Sequence, residues 1–490
     1  MSILIMFKRN LILIVALIVF GLSAINNKGF YHPDEHYQIV EFAEFKNGNN
    51  GRADMAWEYH AKIRPTIQPF IYYVLISGLR SVNITDPYTI AAIARLMIGL
   101  TSLVIITLFI NATLHLIDKD RIIYYQLLSY FICFIPFISV RFSSESFSAL
   151  SFLLGLILIY KPVTNKTYFL LGICLGFSFL FRFQSAFMST GLLLWLVFIN
   201  KCKIYDLAKT IMGMLLIINI GAMIDYWFYG VFTYTFINYF TANVVNDIAS
   251  NYGTYPWYHY FQELFHTCSA PIAITLILSS IILWFFDARN VLTWVLIPFL
   301  FIHFITPHKE LRFLFPIGNL YPLIIISSIQ ILSNFNLLNN YFIKGVAILL
   351  VIINAIGLLL NMFSPADEEG RIGITQYIHQ KYSKENVVLY YINEINPYKP
   401  ITPNQRFYLD RNVKQKELSA EALPLKASDT VVRLLVIQKK SIYENRKLLA
   451  PLKLHYLSSG VPLWTQCFKH LINFRDEGNS LELFEVQVTK

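Results

Sequence analysis

The sequence predicts an all-α polytopic membrane protein with a small C-terminal soluble α/β domain, and three observations predict it. Of its 490 residues 56% are hydrophobic and only 14% charged, far from the make-up of a soluble domain. The apolar residues gather in runs close to the roughly 20 that cross a bilayer. The composition then breaks near Ser364, beyond which polar and apolar residues mix.

The clearest runs are Leu11 to Ala24, Leu96 to Leu116, Leu207 to Ile224, Pro271 to Phe286, Val291 to Ile305, Phe313 to Leu332 and Gly345 to Met362. The first has a basic start and small residues at its end, like a signal peptide, but the many apolar runs after it favour an uncleaved span. The net charge of +10 raises the question of nucleic acid. Its positions answer it: Lys8, Arg9, Lys119, Arg121, Lys161, Lys166, Lys201, Lys203, Lys209 and Arg289 sit in short connections between apolar runs, which is the positive-inside pattern of a membrane protein. With those connections in the cytoplasm the chain follows a path of about eleven transmembrane helices, N-terminus inside and C-terminus outside. Arg64 to Arg80, broken by Pro65, Gln68 and Pro69, reads as interfacial or re-entrant. The stretches Ile25 to Arg64, Arg141 to Glu145, Tyr226 to Ser269 and His308 to Arg312 then share the outer face. Residues 1–363 form the expected membrane domain and 364–490 an extracytoplasmic soluble domain, with strands at Val387 to Ile392, Thr430 to Ile437 and Leu481 to Val488.

Chemistry begins at His32-Pro33-Asp34-Glu35-His36, followed by Gln38, Glu41 and Glu44. Proline suits the first position of a helix, so Asp34 and Glu35 fall in the first turn, where exposed N–H groups favour a carboxylate. The helical period puts Asp34, Gln38 and Glu41 on one face and turns Glu35 about 100° away. Transfer of a sugar with inversion needs a base for the acceptor hydroxyl, and Asp34 suits that role with Glu35 in support. A capped surface helix is the alternative. His32 and His36 with the two acids do not make a closed ligand set, so no metal and no other cofactor is expected.

The second constellation is Thr306-Pro307-His308-Lys309-Glu310-Leu311-Arg312-Phe313, between two apolar runs. Ionisable groups at a membrane junction are functional candidates by default. His308, Lys309 and Arg312 are assigned to a donor phosphate, Arg by its donor fork and Lys as a compact charge. Snorkelling side chains with an internal Glu310 ion pair are the alternative. Asp225, at the end of a span, reads equally as a structural acid or an acceptor contact. The aromatics from Tyr229 to Tyr260, Trp257 among them, read as interfacial anchors first and a sugar platform second.

These residues carry a family resemblance. His32 to Glu35 with Gln38 and Glu41 resembles the first-loop motif of the endoplasmic-reticulum mannosyltransferases that build GPI anchors and lipid-linked oligosaccharides, part of the GT-C superfamily. His308 to Glu310 with Arg312, Phe313 and Pro316 resembles that family's second signature. Trp57 to Tyr59 with Arg64 and Pro65, the stretch from Asp225 to Asn243, and Tyr252 to Tyr260 resemble segments between them. The loop Arg141 to Ser148 departs, with Glu145 and Ser148 where the family has an asparagine and a glutamate.

The resemblance implies a GT-C fold and transfer of a hexose, mannose above all, from a polyprenyl-phosphate donor. The acceptor is a lipid-linked or membrane-associated glycan, membrane lipids surround the chain, and nucleic acid is no partner. Gln38, Glu41, Arg64, Arg141, Asp225 and Trp257 are the weaker substrate-contact candidates. A transporter or flippase of a lipid-linked sugar stays open as the alternative, and would share the spans and the cationic site without needing a base. Sparse cysteine lean the expected compartment towards a bacterial inner membrane rather than the endoplasmic reticulum.

Overall fold

The computed structural model describes residues 3–335, 340–367, 369–401, 405–419, 431–471 and 479–487. The chain divides into two units: Met1–Ser23, Ala61–Ile71 and Arg95–Leu359 in the first, and Ala24–His60, Tyr72–Ala94 and Leu360–Lys490 in the second.

The chain is a polytopic, largely helical membrane protein, but the expected count of about eleven spans is not met. Among the described residues four helices are long and apolar enough to cross a membrane: Met6–Asn26, Pro87–Leu116, Ile204–Tyr229 and Tyr341–Phe363. A fifth results if Leu311–Gly318 and Tyr321–Ser333, bent by 67° at their junction, count as one span. The other apolar helices, Ser144–Tyr160, Thr167–Phe181, Phe183–Phe198, Ala270–Phe286 and Val291–Ile305, are shorter. At 1.5 Å per residue each covers roughly 22 to 26 Å, less than the ~30 Å of a hydrocarbon core. The sidedness drawn from eleven spans loses its basis with the count.

Within the first unit Ser144–Tyr160 and Thr167–Phe181 form an antiparallel pair, tied near one end by the Ser148 and Ser178 hydroxyls at 3.0 Å. Thr167–Phe181 also lies along Ile204–Tyr229, and small residues set how close the two come. A Cβ on Gly172 would stand 2.0 Å from the Thr210 carbonyl oxygen, so only glycine fits there. The core of this unit is aliphatic and aromatic, with Phe152, Leu156, Leu171, Leu192, Val295 and Phe299 fully or almost fully buried.

The second unit holds a sheet of five strands among the described residues: β1 (Asn386–Tyr391), β2 (Val413–Glu417), β3 (Val431–Gln438), β4 (Lys453–Ser459) and β5 (Leu481–Gln487), in the order β2-β1-β3-β5-β4. β1 pairs in parallel with β2 and β3, while β5 runs antiparallel to β3 and β4. Side chains alternate across it: Leu434 and Val436 face a core with Ile374, Ile378 and Leu389, and Leu435 and Ile437 face another with Tyr390, Leu449 and Val486. The three expected strands correspond to β1, β3 and β5, and the outer ends Thr430 and Val488 lie outside the described residues.

Candidate functional site

In the first unit the chain leaves helix Val291–Ile305 through an extended turn and enters a short 3-10 turn, Leu311–Leu314. This brings His308, Lys309 and Arg312 into one ionic cluster. Glu145, in the first turn of Ser144–Tyr160, accepts from Arg182 Nη1 at 2.6 Å and from Arg312 Nη1 at 3.3 Å. Arg312 Nε donates to Glu310, which also meets His308 Nε2 at 2.8 Å. The phenyl ring of Phe313 lies under both guanidinium groups, with Arg182 Cζ 4.7 Å and Arg312 Cζ 5.4 Å from its centroid. Such planar contacts suit guanidinium better than ammonium.

Lys309 is only 3% exposed and has no carboxylate partner among the described residues. Its Nζ donates to the carbonyl oxygens of Tyr255, at 3.2 Å, and of Thr306. Tyr255 N in turn donates to Pro307 O at 2.9 Å, and the His308 imidazole meets Gly253 O at 3.0 Å, so the segment 253–255 is stitched to the turn 306–310. Burial pulls the Lys309 pKa down. The His308 pKa is raised, first by its hydrogen bond with Glu310. Among the groups described, Arg182, Arg312 and Lys309 stand against Glu145 and Glu310, and His308 adds positive charge as it protonates. A buried excess of cations with donor groups is suited to an anion.

The weaker candidates of this unit have other surroundings. Both Asp225 oxygens are taken by protein donors: Oδ1 accepts from Thr66 N at 2.7 Å and Thr66 Oγ1 at 2.8 Å, Oδ2 from Thr235 Oγ1 at 3.0 Å. Arg64 lies over the Tyr239 ring at 5.6 Å, and its carbonyl accepts from Tyr229 Oη at 2.8 Å. Arg141 is almost fully buried, 5.3 Å from the Phe137 ring centroid. Trp257 is exposed and meets Tyr258 and Phe261 edge-on.

Asp34 and Glu35 belong to the second unit. His32 caps the helix, its Nδ1 accepting from Asp34 N at 3.2 Å, with Pro33 at the first position. Both acids are partly exposed. The next turn is not α but π, His36–Val40, before α geometry resumes at Glu41–Lys46. A π turn bonds i to i+5, and the side chains follow: His36 Nε2 meets Glu41 Oε1 at 2.7 Å. Glu41 also accepts from Asn50 Nδ2 and, at 3.1 Å, from Phe407 N, while Gln38 donates to Glu58 at 3.0 Å. The π turn therefore carries Glu41 off the face that a regular α period would have it share with Asp34.

Glu145 and Arg182 complete the cationic cluster without having been singled out as site residues. The signals for them were a charge at the start of one apolar run and at the end of the next, and for Glu145 its departure from the family pattern.

A helical membrane body with an ionic cluster at its interhelical turns, joined to a small α/β sheet, is the architecture of a polytopic membrane enzyme. The chain belongs to the Alg9-like mannosyltransferase family, whose model matches residues 11–386. It is a glycosyltransferase of the GT-C superfamily. It is 25% identical to GPI mannosyltransferase 3 of Candida albicans over 71% of this chain and 67% of that one. With GPI mannosyltransferase 3 of Debaryomyces hansenii the identity is 24%, over 75% and 67%. In fold it is similar to the crystal structure of ArnT from Cupriavidus metallidurans bound to undecaprenyl phosphate, with a TM-score of 0.54 at 13% identity, covering 97% of each chain.

Proposed function

We propose that the chain moves a hexose, mannose in the first instance, from a polyprenyl-phosphate carrier to a lipid-linked or membrane-associated glycan on the outer face of the membrane. The observation that carries this reading is Lys309: a buried ammonium held, among the described residues, by two backbone carbonyls, three positions before Arg312 in the chain, is suited to the phosphate of the donor. Asp34 takes the proton of the acceptor hydroxyl as that oxygen attacks the anomeric carbon. The bond from that carbon to the phosphate oxygen breaks, and the polyprenyl phosphate departs with its added negative charge met by Lys309, Arg312 and protonated His308. Glu35 supports the base. The solved structure with undecaprenyl phosphate shares only the fold, and it makes a polyprenyl phosphate the carrier to try first. Low cysteine use favours a bacterial inner membrane as the compartment.

The test is transfer of labelled mannose from a polyprenyl-phosphate donor by purified protein in detergent, across a panel of glycan acceptors. Asp34→Asn keeps size and removes the proton acceptor, so it should bind donor and lose about 100-fold or more in turnover, the usual worth of a general base. Glu35→Gln should be milder. Full activity in both variants removes the first-loop acids from the mechanism; an inactive Glu35→Gln beside an active Asp34→Asn exchanges their roles.

A further inference from the structure

The second unit carries a cleft that the transfer mechanism does not use. It has a volume of about 570 Å³, within the ~300 to 1,000 Å³ of small-molecule sites, and is open to solvent. Its walls are polar side chains: Glu44, the asparagines Asn47, Asn49 and Asn50, and Arg80, with Arg406 and the largely buried ring of Phe407. The charges are already matched within the protein. Arg80 pairs with Glu44 through two contacts, Nη1 to Oε2 at 3.1 Å and Nη2 to Oε1 at 2.9 Å, and Arg406 pairs with Asp54 at 2.9 Å. An anion would have to break these pairs. A neutral, hydroxyl-rich ligand would not, since amides, a paired guanidinium and a paired carboxylate all have directions left for hydroxyl groups.

Two exposed positions of the wall suit such a ligand: the Asn49 amide and the Thr85 hydroxyl can each meet a ligand hydroxyl as donor or as acceptor. Glu44 lies ten residues beyond Asp34 on the same continuous helical stretch, roughly 15 Å along its axis. That is too far for the reacting hydroxyl and suits a sugar unit further along the acceptor.

We propose that this cleft is a carbohydrate subsite that holds an uncharged sugar unit of the acceptor glycan at a distance from the reacting hydroxyl. The acceptor role rests on the transferase reading above, whereas sugar binding by the cleft stands separately. The test is saturation-transfer NMR on the full chain in detergent, with methyl α-mannoside, mannobiose and cellobiose as probes. Asn49→Ala and Thr85→Ala change exposed cleft positions and are read beside Lys447→Ala, an exposed position elsewhere in the unit, with thermal melting as the check on folding. The expected result is saccharide binding by the wild type, about fivefold weaker in each cleft variant, as loss of one neutral hydrogen bond gives, and unchanged in Lys447→Ala. No saccharide binding by the wild type, or equal binding in both cleft variants, overturns the proposal. Wild-type donor cleavage is measured alongside: saccharide binding without any cleavage of polyprenyl-phosphate mannose refutes the acceptor role and locates the failure in the transferase reading.

Discussion

At the scale of single residues, Lys309 gives the sharpest expectation. Lys309→Met keeps the apolar stem and removes the charge, so donor binding should weaken by about 1.5 to 3 kcal/mol, roughly 10- to 150-fold, the range for hydrogen bonds to charged groups. Donor KM and the melting temperature are measured together, because the Tyr255 and Thr306 carbonyls lose their donor as well. An unchanged KM returns Lys309 to a purely structural role. His308 adds a pH dependence. Its folded pKa is raised by Glu310, so its charge is fully present below the ordinary histidine value near 6.5 and is lost as pH rises through the raised one. Donor affinity should therefore fall as pH rises through that window, and His308→Gln should flatten the profile; a profile identical in both proteins removes His308 from the phosphate contact. Much of this cluster was legible in the sequence, because three cationic side chains between apolar runs have few innocent explanations. Glu145 and Arg182 were not, since the pairing of Glu145 with both Arg182 and Arg312 joins positions far apart in the chain.

At the scale of elements, the π turn His36–Val40 decides how the first-loop motif works. Pattern reading assumed the α period and put Asp34, Gln38 and Glu41 on one face. One extra residue in the turn carries Glu41 onto His36 instead, and Asn50 and the Phe407 amide close around it. No hydrophobic periodicity announces such a turn. Glu41 is thereby a nearly fully buried carboxylate with several protein donors. Glu41→Gln halves its acceptor capacity and removes the charge, and should cost about 1.5 to 3 kcal/mol of stability, as for other hydrogen bonds to charged groups. Thermal melting in detergent checks this, and a melting temperature equal to that of the wild type would leave Glu41 available for substrate. The sheet was easier to read: β1 and β3 are rich in β-branched, aliphatic and aromatic residues and β5 begins with alternating Leu and Glu, while β2 (Val-Lys-Gln-Lys-Glu) and β4 (Lys-Leu-His-Tyr-Leu-Ser-Ser) are edge strands too polar to stand out.

At the scale of the whole molecule, hydropathy found the four long helices, which contain the runs Leu11 to Ala24, Leu96 to Leu116, Leu207 to Ile224 and Gly345 to Met362. It overcounted where apolar runs form helices of only 15 to 17 residues, such as Ala270–Phe286 and Val291–Ile305, and it could not see that Phe313 to Leu332 bends by 67°, with Pro316 and Pro322 in the first turns on either side. Sidedness therefore needs a source other than counting spans, and the pair Ser144–Tyr160 and Thr167–Phe181 supplies one. Glu145 and Arg182 meet at one end of this pair, with the His308 cluster and the segment around Gly253, whereas Asn165 lies in the connection at the other end. Seventeen residues of helix separate those ends by about 25 Å, most of the ~30 Å of a hydrocarbon core. If the cluster faces outwards, Asn251→Cys should react with an impermeant thiol reagent added to intact cells carrying a cysteine-free background, and Asn165→Cys should react only after permeabilisation. Both positions are exposed and neither takes part in the cluster. Lys161 and Lys166, flanking Asn165, agree with this direction, since basic residues near helix ends favour the cytoplasmic side. The reverse labelling would turn the cationic cluster to the cytoplasm and end the proposal of transfer at the outer face, while leaving the chemistry of Lys309 and Arg312 as it stands.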